Sequence, residues 1–166
     1  MNEKIYLTGF MGSGKTTVGQ ALGKAIGYQV IDTDQWIEQT YKTSISTIFE
    51  EKGEGYFRSL ETEALRNLLN KRAIITTGGG IVVREENRQI MKQSGKVIFL
   101  DCEIEEVIRR TSMDHSRPLL KQKNKEQISA MFKERLPFYR EADIQIDTTG
   151  KSILSLVEEL KSLMLR

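Results

Sequence analysis

The chain has 166 residues, of which 39% are hydrophobic and 29% are charged, and its net charge is +2. These values indicate one folded domain, exclude a disordered chain, and argue against a nucleic-acid-binding protein. Cys102 is the single cysteine, so the chain cannot form an internal disulfide. We find no leader-like segment and no apolar run long enough to span a membrane, and we therefore expect a cytoplasmic protein.

Short apolar runs alternate with longer helical patterns along the chain. We predict five strands, at residues 4–8, 29–31, 73–77, 96–101 and 143–147. Between the strands we predict a helix that ends at Gly27, a helix that follows Asp34, three helices at about 54–70, 85–93 and 104–110, and a helix that ends near Leu136. A last helix follows the fifth strand and buries Ile153, Val157, Leu160 and Met164. This alternation indicates an α/β fold, in which helices cover both faces of a parallel sheet and ligands bind at the carboxyl ends of the strands.

The first glycine-rich segment carries the most specific motif. Residues 9–16 fit G-x-x-x-x-G-K-[ST] in full, directly after a predicted strand and at the start of a predicted helix. In this motif the backbone N–H groups surround phosphate oxygens, Lys15 reaches the outer phosphates, and the Thr16 hydroxyl suits Mg²⁺. The segment therefore predicts a site for a nucleoside triphosphate with Mg²⁺, but it leaves ATPase, GTPase and kinase activities open.

Two aspartates follow the second predicted strand. In an extended segment, Asp32 and Asp34 would point to one face, where one could approach a metal ion and the other an acceptor hydroxyl. A solvated loop, or a helix that Asp34 caps, would explain the same residues without any function. Beside a phosphate loop, we favour the functional interpretation.

The region 49–80 suggests a second binding element. Arg58 and Glu61 lie three residues apart on a predicted helix, which usually gives a weak surface ion pair. Phe49 and Phe57 lie nearby, however, and an arginine beside aromatic rings suits capture of a carboxylate. The run GGG at 78–80 follows a strand directly, so either another group approaches the backbone closely or the run is only a permissive turn.

A polar stretch covers residues 111–125 and contains Arg117. Such a segment could form a mobile lid whose arginine stabilises a phosphoryl group during transfer, or it could be an ordinary surface loop. Arg135 and Arg140 flank a short apolar run and could simply be solvated. His115 has no partner motif, and we assign no catalytic role to it.

Taken together, these segments resemble one family, the shikimate kinases, over nearly the whole chain. The resemblance rests on the order and spacing of GFMGSGKTTVG, DTDQWIE, GEGYFRSLE, TTGGG, RPLL and ERLPFYREAD, which begin at residues 9, 32, 53, 76, 117 and 134. It implies a single-domain P-loop kinase fold that covers the whole chain, with a five-stranded parallel sheet and a mobile lid at about 111–125.

The resemblance also implies an activity and a set of site residues. The activity is transfer of the γ-phosphate of ATP to the 3-hydroxyl of shikimate, in the pathway to chorismate and the aromatic amino acids. The implied ATP-binding residues are Gly12, Ser13, Gly14, Lys15, Thr16, Thr17, Arg110 and Arg117, and Thr16 and Asp32 would hold Mg²⁺. The implied shikimate-binding residues are Asp34, Phe49, Phe57, Arg58, Glu61, Gly79, Gly80 and Arg135.

Within this set the family resemblance implies distinct roles. Asp34, Lys15 and Arg117 are implied to be catalytic, with Asp34 as the candidate base, while Arg58 and Arg135 would bind the shikimate carboxylate. Near the adenine, either Arg109 or Arg110 could serve. The implied partners are the small molecules shikimate and ATP, without nucleic acid or membrane, and we expect a monomer.

Two other functions are compatible with part of this pattern. A related small-molecule kinase could act on gluconate or on a nucleotide, although the GGG run and the spacing of Arg58 and Glu61 argue against it. A regulatory protein that binds nucleotides without catalysis is expected to lack Asp34, Arg58 or Arg135, and all three are present.

Overall fold

The computed structural model describes residues 4–111 and 123–166. Its strands are β1 (Lys4–Thr8), β2 (Gln29–Asp32), β3 (Ala73–Thr76), β4 (Gly95–Asp101) and β5 (Ile144–Asp147). Its α-helices are α1 (Lys15–Ile26), α2 (Thr33–Tyr41), α3 (Ile45–Lys52), α4 (Glu54–Asn67), α5 (Glu85–Ser94), α6 (Ile104–Thr111), α7 (Lys125–Tyr139) and α8 (Ile153–Met164), and a 3₁₀ helix covers Ile81–Val83.

The strands form one parallel sheet in the order β2-β3-β1-β4-β5. Because all strands run in the same direction, the segments that follow them meet at one edge of the sheet. The loop after β1 and the turn after β3 are neighbours there, and Asp32 at the end of β2 is in register with Thr76 at the end of β3. The predicted α/β fold with a five-stranded parallel sheet is thereby confirmed.

Alternate residues of the central strands pack on opposite faces of the sheet. Ile5 and Leu7 of β1 belong to one buried cluster with residues of α1 and α8, whereas Tyr6 belongs to a second cluster with residues of α4, α5, α6 and α7. The same alternation occurs along β3 and β4. Successive side chains of a strand point to opposite faces, so each face is buried under its own helical layer.

Helices α2, α3 and α4 carry a third buried cluster, which includes Ile37, Ile48, Phe57 and Leu60. The short helix α3 was not predicted, and α4 ends at Asn67 rather than near residue 70. These three helices pack against one another through this cluster. They place Asp34 and Arg58 around one cavity, which Asp32 at the end of β2 also lines.

Helix α7 continues through Pro137 to Tyr139 and does not end at Leu136 as predicted. Proline disrupts a helix interior because it lacks an N–H and crowds the preceding turn. Here it lies in the last turn, and the N–H of Arg140 still donates to the carbonyl of Leu136. As a consequence, Tyr139 lies on the same helix as Arg135.

The predicted lid at about 111–125 lies mostly in residues 112–122, which are outside the described part of the chain, and so does Arg117. Its mobility stays a prediction. Within residues 4–111 and 123–166, no helix combines the length and apolar character needed to cross a membrane.

Replacing Gly23 of α1 by alanine is expected to lower the free energy of unfolding. The new Cβ would lie 2.5 Å from Val30 Cγ2 and 2.9 Å from the Tyr28 carbonyl oxygen. Such overpacking costs about 1–3 kcal/mol, which should outweigh a helix-propensity gain of up to about 1 kcal/mol. Urea unfolding measures the difference. Gly55→Ala is the control, because its Cβ would meet nothing within 4 Å, and equal stability of the two variants would contradict the prediction.

Candidate active site

The loop between β1 and α1 has the shape of a phosphate-binding loop. Gly9, Gly12 and Gly14 have φ angles of 154°, 79° and 92°, which other residues rarely adopt, so these positions require glycine. Lys15 is buried, and its Nζ donates hydrogen bonds to the carbonyl oxygens of Gly9 (2.7 Å) and Phe10 (3.1 Å). The lysine therefore lies across the loop at the start of α1, where the positive end of the helix also favours anions.

Other residues of this loop differ in exposure. Ser13 is buried, and its Oγ makes no hydrogen bond with any described residue. Thr16 and Thr17 lie in the first turn of α1 with exposed side chains. Gly12, Gly14, Lys15, Thr16 and Thr17 all line a cavity of about 770 Å³. The sequence-predicted phosphate residues thus surround one end of an open cavity.

Asp32, and not Asp34, caps helix α2. Its Oδ1 accepts from the backbone N–H of Gln35 (3.0 Å), and its Oδ2 accepts from the Thr76 hydroxyl (2.8 Å). Asp34 lies one residue inside the helix. The predictions of an extended segment through Asp34, and of Asp34 as a cap, are therefore wrong, because β2 ends at Asp32 and the chain turns at once into α2. Both carboxylates nevertheless line the same cavity.

Arg58 and Glu61 form a buried ion pair rather than the surface pair that such spacing usually gives. Arg58 Nη1 lies 2.5 Å from Glu61 Oε1, and Nη2 lies 3.1 Å from Glu54 Oε1. Arg58 is 7% exposed and Glu61 is fully buried. Burial raises the pKa of Glu61, and the positive charge of Arg58 opposes this shift. Burial tends to lower the pKa of Arg58, but Glu61 and Glu54 outweigh it, so the pKa is raised and the guanidinium stays charged.

Aromatic rings surround this arginine on one side. The rings of Phe49 and Phe57 lie 4.9 Å apart at an angle of 46°, and the Arg58 Cζ lies 5.4 Å from the centroid of the Phe57 ring. Both phenylalanines line the cavity. Packing of this kind restricts the rotamers of Arg58 and excludes water from one face of the guanidinium.

The turn Gly78–Gly80 has no side chains because charged groups occupy the space where they would lie. A Cβ at Gly78 would lie 2.9 Å from both Asp34 Oδ1 and Glu61 Oε2, and a Cβ at Gly80 would overlap the guanidinium of Arg58. Gly80 has φ −94°, an ordinary value, so space and not backbone conformation requires glycine there. The prediction that other groups approach this backbone closely is confirmed, and the permissive-turn alternative is wrong.

Arg135 reaches the same turn from helix α7. It is 6% exposed, its Cζ lies 5.8 Å from the Phe10 ring centroid, and its Nη1 makes no hydrogen bond with any described residue. A Cβ at Gly79 would lie 3.8 Å from this Nη1. Two buried guanidinium groups, those of Arg58 and Arg135, therefore flank one short glycine turn.

Arg110 contacts the phosphate loop. Arg110 Nη1 donates to the carbonyl oxygen of Gly12 (3.0 Å), and its Nε pairs with Glu106. Arg109 is largely exposed and also pairs with Glu106. Of the two adjacent arginines, Arg110 is the one that lines the cavity.

Two polar residues near the site were missed from the sequence. Thr76 anchors Asp32, and Tyr139 donates a hydrogen bond to the carbonyl oxygen of Gly79. The signal for Tyr139 was its position four residues after Arg135 on a helix, but the helix was predicted to end before it. Thr76 ends a strand and had no distinguishing pattern.

These elements define a P-loop kinase for a small anionic acceptor: a phosphate loop lies at one end of the cavity, and aspartate and arginine side chains lie at the other. Residues 11–164 match the family model described as shikimate kinase. The chain belongs to the shikimate kinase family.

Individual relatives agree with this assignment. The chain is 51% identical to a shikimate kinase of Bacillus cytotoxicus, over 94% of both chains. It is 46% identical to one of Persephonella marina, over 95% of this chain and 96% of the relative. A solved shikimate kinase from Acinetobacter baumannii in complex with shikimate has a TM-score of 0.94 at 38% identity, and the match covers 98% of this chain and 93% of that one.

Replacing Asp32 by alanine is expected to destabilise the fold as well as alter the site. Loss of a helix cap costs about 0.5–2 kcal/mol, and the buried Thr76 would also lose its acceptor, so we expect a total of about 1–3 kcal/mol. Ser152→Ala is the matched control, since Ser152 only caps α8. Chemical unfolding should show a larger loss for Asp32→Ala, and an equal or smaller loss would contradict the role of Thr76.

Proposed function

We propose that this protein transfers the γ-phosphate of ATP to the 3-hydroxyl of shikimate and releases ADP and shikimate 3-phosphate, a step toward chorismate and the aromatic amino acids. Membership of the shikimate kinase family supports the reaction. The structural observation that carries the acceptor assignment is the pair of buried guanidinium groups at Gly79 and Gly80, one of which has an Nη1 with no hydrogen-bond partner among the described residues. A small carboxylate with several hydroxyls is the kind of ligand that satisfies such a site.

At the nucleotide end, we assign ATP binding to the loop from Gly12 to Thr17, to Arg110 and to Arg117. The backbone N–H groups and the positive end of α1 would hold the phosphates, and Lys15 would exchange its two carbonyl contacts for phosphate oxygens. Arg117 lies outside the described residues, and its role rests on the family resemblance alone. This arrangement neutralises charge where it develops in phosphoryl transfer.

A magnesium ion fits the residues between the two ends. The exposed Thr16 hydroxyl and the Asp32 carboxylate both line the cavity, and oxygen donors in small number suit Mg²⁺, which keeps several waters. When bound there, the ion would offset the negative charge of the phosphates. Asp32 is already fixed by Gln35 and Thr76, so its carboxylate needs little rearrangement to serve.

At the acceptor end, Arg58 and Arg135 bind the carboxylate of shikimate and Asp34 binds its hydroxyls. Glu61 fixes Arg58, and Phe49 and Phe57 form the apolar wall. As the hydroxyl oxygen bonds to the γ-phosphorus, the bond from phosphorus to the bridging oxygen of ADP breaks, and the hydroxyl proton passes to Asp34. Positioning of the two substrates and stabilisation of the developing charge together account for most of the acceleration in such a mechanism.

We further propose that the enzyme acts as a monomer in the cytoplasm, on small molecules alone. The test of the function is release of ADP from ATP and Mg²⁺ with shikimate, gluconate, AMP or water as the acceptor. Turnover with shikimate alone supports the proposal. Turnover with gluconate or AMP would overturn the acceptor roles of Arg58 and Arg135, and ATP binding without any turnover would favour the regulatory alternative.

Replacing Gly80 by alanine is expected to raise the KM for shikimate about 10- to 100-fold, because a displaced charged hydrogen bond is worth about 1.5–3 kcal/mol. The three heavy atoms nearest to the new Cβ all belong to the Arg58 guanidinium, so the disturbance falls on the proposed acceptor side and the KM for ATP should change little. Steady-state kinetics measure both constants. Gly55→Ala, on the same helix as Arg58 but in open space, is the control, and equal losses for both substrates would contradict the assignment.

Replacing Asp34 by asparagine is expected to lower kcat at least about 100-fold, the lower bound of the usual contribution of a positioned base. The amide keeps the shape of the side chain but does not accept the hydroxyl proton. ATP affinity should be retained, as measured by titration calorimetry. Asp143→Asn is the control, because Asp143 accepts from the N–H of Val97 away from the cavity. Unchanged kcat would exclude Asp34 from the proton transfer.

A further inference from the structure

Tyr139 is a buried polar residue to which the proposed mechanism gives no role. It is the last residue of α7 and is 1% exposed. Its ring stacks on Phe99 of β4, with centroids 5.0 Å apart and planes at 7°. The ring alone therefore packs α7 on the sheet, and a phenylalanine would do the same. The hydroxyl needs a separate explanation, because a buried hydroxyl is unfavourable unless it is hydrogen-bonded.

The hydroxyl group is directed at the glycine turn. It donates a hydrogen bond to the carbonyl oxygen of Gly79, the middle residue of the turn that Arg58 and Glu61 contact. Burial raises the pKa of Tyr139 to about 12, although the nearby charge of Arg135 and a side-chain hydrogen bond with that arginine oppose the shift. The phenol therefore stays protonated at neutral pH and keeps its role as a donor.

Arg135 lies one helical turn before Tyr139, on the same face of α7. Its Nη1 is buried, has no hydrogen bond with a described residue, and lies 3.8 Å from the position of a Cβ at Gly79. Both side chains of this face therefore lie beside the same residue of the turn, Gly79. Within residues 4–111 and 123–166, the Arg135 Nη1 has no hydrogen bond to the turn, whereas the Tyr139 hydroxyl is bonded to the turn directly.

We propose that Tyr139 is a positioning residue, whose hydrogen bond to the Gly79 carbonyl fixes α7 against the glycine turn so that Arg135 presents its guanidinium to the acceptor carboxylate. This inference rests on the proposed function, since it takes shikimate as the acceptor. Tyr139 does not contact the reacting atoms. Its effect passes through the orientation of Arg135 and belongs to acceptor binding, not to the nucleotide.

The first test compares Tyr139→Phe with Tyr6→Phe. Tyr6 is also fully buried, and its hydroxyl is hydrogen-bonded to Ser94 at the opposite end of the sheet. Both variants lose one buried hydroxyl contact and should show similar small decreases in Tm. We expect Tyr139→Phe to raise the KM for shikimate about 5- to 10-fold, the loss of one hydrogen bond, with kcat and the KM for ATP changed less than about twofold. Equal kinetic effects in the two variants would overturn the proposal.

A double-mutant cycle tests the route through Arg135. If Tyr139 acts by orienting this arginine, adding Tyr139→Phe to Arg135→Ala should change kcat/KM for shikimate by less than about twofold. Full additivity of the two losses would overturn the proposal. A wild-type enzyme that fails to phosphorylate shikimate would instead reject the proposed function. The positioning role can still be tested in that event by a crystal structure of Tyr139→Phe. If the Arg135 side chain and the glycine turn have the same positions as in the wild type, the positioning role is rejected, whichever acceptor the enzyme uses.

Discussion

The glycine backbone of Gly78–Gly80 is the constraint on which the proposed acceptor end of the cavity depends. Asp34 and Glu61 approach Gly78, and Arg58 covers Gly80, at distances that no Cβ would permit. The turn leaves β3 between β1 and β2, so it is held between the phosphate loop and Asp32. The sheet thus fixes one rigid strip of backbone, and the helices α2, α4 and α7 each bring a charged side chain against it.

Burial of the Arg58–Glu61 pair explains how this end is kept rigid. Removing two charges from water is unfavourable, and a buried pair is often no more stable than apolar residues of the same size. The pair is therefore better understood as a device for orientation than as a source of stability. Glu61 and Glu54 pair with the Arg58 guanidinium from two sides, and the ring of Phe57 packs against it from a third side. The orientation of the arginine is therefore fixed before a ligand binds.

The parts of the site that could be predicted are those that depend on consecutive residues. The phosphate loop is a local motif between a strand and a helix, and the GGG run after β3 correctly signalled a close approach. The pairing of Asp32 with Thr76 could not be predicted, because the two lie 44 residues apart and meet only through strand register. The burial of Arg58 and Glu61 was equally hidden, since a spacing of three residues is the same on a buried and on an exposed helix face.

The predicted boundaries of α2 and α7 were wrong for related reasons. Asp34 lies inside α2 because Asp32 caps the helix by accepting the N–H of Gln35, and both aspartates are good cap residues by type. Pro137 favoured an early end to α7, but its place in the last turn allows the helix to continue to Tyr139. The choice in each case depends on a tertiary contact, with Thr76 for Asp32 and with Gly79 for Tyr139.

Buried polar atoms without a hydrogen-bond partner among the described residues occur near both ends of the cavity. Among the described residues, Ser13 Oγ, Glu61 Oε2 and Arg135 Nη1 are buried and lack a protein partner. Such atoms are unfavourable in a folded protein and are uncommon outside functional sites. One lies in the phosphate loop, and the other two lie beside the glycine turn. Phosphate or carboxylate oxygens would accept from Ser13 and Arg135, whereas a ligand hydroxyl would donate to Glu61. The stability lost at these atoms is the cost of a preorganised site.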